Sequence, residues 1–200
     1  MPKFLNVYDI LTTFEVIDNY DEEIIESEDK SITTVSNGAQ RFEWVFRVMN
    51  YAGQDNAGRH IFGHRSKQRR VEFTFPVPQL PDVEIPTSTI QVPLPTAANT
   101  DRLPIVIPGP GATQDAVRTG TFFTLPGDRK IYMVDTGSLV SQGSNSVVGI
   151  NPPLRKSVAQ NAKINFTPTA YVKYGSNTLS KITITGRKDV EFLIHLIESL

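Results

Sequence analysis

The sequence predicts an all-β protein, and three observations carry that expectation. The run Gln40-Arg41-Phe42-Glu43-Trp44-Val45-Phe46-Arg47-Val48-Met49-Asn50-Tyr51 sets Phe42, Trp44, Phe46 and Val48 at period two, with Arg41, Glu43 and Arg47 on the alternate positions. The run Val71-Glu72-Phe73-Thr74-Phe75-Pro76-Val77 repeats the alternation. The 14 prolines and 13 glycines cut the rest into short pieces, as strands and turns require and helices do not. A strand with Phe, Trp and Phe on one side must bury that side, at roughly 1.5–3 kcal/mol per large side chain. The Trp44 run therefore reads as an inner strand of a β-sandwich.

Composition narrows the function classes. At 200 residues the chain has room for one large domain or two small ones. The absence of cysteine excludes disulfide frameworks, thiolate metal sites and a cysteine nucleophile, and it fits synthesis in a reducing cytoplasm. A formal net charge of −1 supplies no global attraction to nucleic acid or anionic membrane. No apolar run approaches the ~18 residues of a membrane span, and Met1-Pro2-Lys3-Phe4 does not open a signal peptide. A soluble protein, without membrane insertion and outside the ordinary secretory route, is expected.

Charge is balanced overall and segregated locally. Asp18, Asp21, Glu22, Glu23, Glu26, Glu28 and Asp29 fall in one stretch without a cation. Arg59, Arg65, Lys67, Arg69 and Arg70 fall in another without an anion. One reading is two solvated loops, since isolated surface charge contributes little. The other is a pair of complementary patches meeting between subunits of a ring, with Asp21, Glu22, Glu23, Arg65, Lys67, Arg69 and Arg70 as interface candidates. The basic stretch lacks the interleaved aromatics of a nucleic-acid site, so no nucleic-acid recognition is assigned to it.

In chain order, residues 4–17 suit one or two short strands, or a strand with a short helical turn, and the acidic stretch reads as a loop. Ser31-Ile32-Thr33-Thr34-Val35 is β-branched and precedes Asn37-Gly38, a turn signal that predicts a hairpin pairing 31–36 with 40–50. From Pro76 the composition shifts. Pro76, Pro78, Pro81, Pro86, Pro93, Pro95, Pro104, Pro108 and Pro110 break extended chain into short apolar pieces, among them Leu103 to Ile107. Beyond a boundary near Leu80, residues 121–125, 130–134, 146–150, 163–166 and 170–174 read as short strands, and 152–161 as a short helix with proline in its first turn. Such a set suits a small OB-type barrel, although a simple β-sandwich would look the same. At the end, Lys181 to Thr185 is a strand. Val190, Phe192, Ile194 and Leu196 alternate as a strand would, while Val190, Leu193, Ile194 and Ile197 also make a helical stripe; the preceding turn and the β surroundings favour a strand over 190–200. The expected architecture is a discontinuous β-sandwich, 1–80 plus 169–200, with an inserted OB-like small β-barrel domain, 81–168.

The motifs that could carry chemistry are weak. Val134-Asp135-Thr136-Gly137-Ser138 matches an aspartic-protease signature, but such enzymes need two carboxylates sharing a proton. Val147-Val148-Gly149 follows too closely for that fold, and a polar hairpin turn is the better reading. His60 and His64 stand four apart, yet Gly63 weakens a helix there and no third ligand stands out beside His195. Gly109-Pro110-Gly111-Ala112-Thr113 lacks the lysine of a phosphate loop. No catalytic, metal or cofactor residue is assigned, and the expectation is a protein that is not an enzyme.

Three stretches taken in order resemble the distal tail (Dit) proteins of long-tailed, siphovirus-type bacteriophages, the small kind with an OB-like inserted domain. They are Gln40 to Met49 followed by the basic segment and Val71 to Leu80; Gly127-Asp128-Arg129-Lys130-Ile131-Tyr132-Met133-Val134 followed by Gly149-Ile150-Asn151-Pro152-Pro153-Leu154-Arg155; and Phe192 to Leu200, ending in Ile197-Glu198-Ser199-Leu200. The resemblance implies a virion structural protein at the tail tip or baseplate, made in the host cytoplasm. It implies a hexameric ring partnered by tail tube, hub and fibre proteins. An inserted OB-like domain also permits an alternative, a host-surface carbohydrate-binding module, although Phe122, Phe123 and Tyr132 are few aromatics for stacking.

Overall fold

The computed structural model describes residues 11–19, 22–26, 32–36, 40–50, 72–80, 82–175, 182–185 and 189–199. It is all-β and of sandwich type, without a helix among the described residues. In order, the strands are β1 (Leu11–Asn19), β2 (Glu22–Glu26), β3 (Ile32–Ser36), β4 (Arg41–Asn50), β5 (Phe73–Pro76), β6 (Arg102–Ile105) and β7 (Gln114–Val117). They continue as β8 (Phe122–Phe123), β9 (Tyr132–Thr136), β10 (Ser138–Ser141), β11 (Ser146–Asn151), β12 (Thr169–Tyr174), β13 (Ile182–Thr185) and β14 (Asp189–Glu198). Two compact units result, one from 1–75 with 171–200 and the other from 76–170.

The first unit is built on a six-stranded sheet ordered β1-β4-β14-β12-β5, with β13 also paired to β14. The alternation of the Trp44 strand is realised. Phe42, Trp44 and Phe46 are buried, while Glu43 and Val45 between them are half-buried. Phe75, Val172, Ile194 and Leu196 are buried with them. The Phe75 ring centroid lies 5.9 Å from that of Trp44 and 5.4 Å, edge-on, from that of Phe46. The strand reading of the C-terminal segment holds: β14 pairs with β13 and also with β4, so Trp44 stands opposite Leu196 and Phe46 opposite Ile194. The last part of the chain thus lies beside the Trp44 strand. Glu198, itself buried, ends the ladder by accepting a hydrogen bond from the Phe42 N–H at 3.1 Å.

Two expectations for the N-terminal part are corrected. Residues 32–36 pair with β2, not with the Trp44 strand, whose partner on that side is β1. Part of the acidic stretch is therefore strand and not loop. The physical reason is the register: Glu22, Glu23 and Glu26 stand opposite Ser36, Val35 and Ile32, so no carboxylate faces another across the ladder. The Asn37-Gly38 turn lies outside the described residues.

The second unit holds a sheet ordered β6-β11-β9-β8 and a separate β7–β10 pair. None of its sheets closes into a barrel. Closure needs a continuous ladder between end strands. Here β8 is two residues long, and the remaining pairing is by isolated bridges such as Gln91 to Val106 and Thr124 to Asn165. Prolines along 86–110 withhold the donors a longer ladder would need. The helix expected at 152–161 is absent, and Val158 there forms a bridge to Thr96. Residues 163–166 form bridges only, and 170–174 belong to β12 of the six-stranded sheet. Leu103, Ile105, Val134, Val148 and Ile150 point inward at period two and form the core with Phe123 and Tyr132.

Candidate functional site

The Asp135-Thr136-Gly137-Ser138 segment is not a hairpin turn. Asp135 and Thr136 end β9 and Ser138 begins β10, so the chain passes there from one sheet to another. Gly137 is needed for closeness: a Cβ at that position would stand 2.5 Å from the Val117 carbonyl oxygen and 2.9 Å from the Thr119 nitrogen.

The register explains why two consecutive residues are both exposed. Gly149 of β11 faces Thr136, and the next residue, Ile150, faces Val134. Asp135 is the extra residue of a β-bulge, which turns its side chain to the same outer side as Thr136. Gly149 faces Arg102 on its other flank. The result is an open depression of about 190 Å³ lined by Asp101, Arg102, Asp135, Thr136, Val147 and Gly149. Its floor is Gly149, over which the Asp135 carboxylate lies so closely that a Cβ there would collide with it. Asp135 was singled out by its motif, but Asp101 and Arg102 gave no signal, because only the pairing of β6 with β11 brings them alongside.

The lining offers two carboxylates, one guanidinium and one hydroxyl, and no aromatic ring. Among the described residues no group of three or more His, Asp or Glu side chains is placed to hold a metal ion. His60 and His64 lie outside the described residues. His195 sits in the other unit, its Nε2 2.5 Å from Glu43 Oε2 across the β4–β14 ladder, and its ring fills the space that a side chain at Gly175 would need.

A second cluster is structural. The Tyr132 hydroxyl donates to Asp128 Oδ2 at 2.8 Å and accepts from the Arg155 N–H at 3.0 Å, while Arg155 NH2 stands 3.4 Å from Asp128 Oδ1. Burial, with Asp128 beside it, pushes the phenol well above the usual tyrosine range. This clamp joins the Gly127-Asp128 turn to the Pro152-Pro153-Leu154-Arg155 segment, two pieces of one quoted motif pair. Gln79 acts similarly: its side-chain amide donates to the carbonyls of Phe122 and Phe166, both at 2.8 Å, and accepts from the Phe122 N–H at 2.7 Å. Asp115 accepts from the N–H groups of Thr87, Ser88 and Ala116. Burial raises its carboxyl, but the hydrogen bonds from Ser88, Ala116 and Thr87 together outweigh it and hold the group below the usual carboxylate range.

Of the interface candidates, Glu22 and Glu23 stand on β2, in register with Ser36 and Val35. Asp21, Arg65, Lys67, Arg69 and Arg70 lie outside the described residues. No known protein family and no characterised protein matches the chain. Among the described residues no helix is long and apolar enough to cross a membrane.

Proposed function

We propose that this chain is a structural component of a phage tail tip, a ring-forming adaptor that joins the tail tube to hub or fibre proteins. The observation that carries the reading is the order of the six-stranded sheet, in which C-terminal β14 lies between β4 and β12. A body assembled from both chain ends, with 76–170 set into it, is the organisation the resemblance implies. The Asp128–Tyr132–Arg155 clamp supports the same reading, because it gives the two halves of the 127–134 and 149–155 pattern a shared physical task. On this reading the segregated charge, acidic 18–29 against basic 59–70, joins neighbouring subunits.

Native mass spectrometry and negative-stain images of the full-length protein test the proposal. Hexameric rings whose population falls with added salt are expected. Arg69→Glu with Arg70→Glu is expected to impair ring assembly while the monomer still folds. A protein that stays monomeric at every concentration, alone and with tail tubes, would sink the reading; rings indifferent to the double reversal would remove its electrostatic part.

A further inference from the structure

We draw no further inference here: the strongest candidate, the surface patch of the second unit where Leu139 of β10 and Val147 of β11 stand exposed, carries nothing because nothing in the structure shows what covers it.

Discussion

Trp44 is the most informative place to perturb the first unit. Its side chain is fully buried beside Phe42 and Phe75, yet its indole Nε1–H has no hydrogen-bond partner. Two terms follow. Truncation to alanine removes most of a large buried ring and leaves a cavity, at about 3–5 kcal/mol. Trp44→Phe keeps a ring and loses a smaller volume, at roughly 1–2 kcal/mol. It also deletes the orphaned donor, whose burial costs about 1–3 kcal/mol. The terms oppose each other, so Trp44→Phe should lie within about 1 kcal/mol of wild type, several kcal/mol better than Trp44→Ala. Urea unfolding followed by far-UV circular dichroism measures both variants. Because Trp44 is the sole tryptophan, its fluorescence in the wild type reports on the first unit alone and gives the reference transition. A Trp44→Phe protein as unstable as Trp44→Ala would refute the reasoning and show that the indole N–H is satisfied, by a buried water for instance.

Three further outcomes follow from the second unit. Tyr132→Phe should cost about 1–3 kcal/mol, because the Arg155 N–H and Asp128 lose a buried partner. Since burial raises the phenol, the unfolded chain releases this proton first, and stability should fall as pH rises above about 10, the free tyrosine value; Tyr132→Phe should flatten that alkaline slope in pH-dependent thermal melts. Asp115 has the opposite sign. Its lowered carboxyl stabilises fully above about pH 4 and progressively less as pH falls toward the folded value, a loss that Asp115→Asn should remove from acid titrations of stability. Gly137→Ala should cost about 1–3 kcal/mol in chemical unfolding, since the new methyl meets the backbone of Val117 and Thr119 and not a movable side chain.

What was legible in the sequence was what period-two alternation encodes. The Trp44 strand and Phe73 to Pro76 were readable because each buries one face and so has to alternate, whereas residues 190–200 fit a helical stripe as well and only their β surroundings favoured the strand. Pairing was less legible. The Asn37-Gly38 signal is local, whereas the partner of β3 was decided by a neighbouring strand rich in glutamate, a composition that resembles a loop. In the second unit the elements are two to six residues long, too short for periodicity to separate a strand from a bridge, and the proline-rich run hid β6. The depression was half legible. Asp135 stood out by motif, but its role depends on one extra residue relative to a strand more than a dozen positions later, and no local pattern announces a bulge.

The chain leaves the first unit through β5 and re-enters through β12, and these two strands are neighbours in the same sheet. Just beyond them the Val77 N–H donates to the Pro168 carbonyl at 3.0 Å. The whole interval between therefore begins and ends at one doorway. A tight connection could bridge that doorway without disturbing the order of the remaining strands, and so could a different cassette of any length whose two ends lie equally close. Replacing the 77–168 interval by a short linker is accordingly expected to leave the interior of the six-stranded sheet intact.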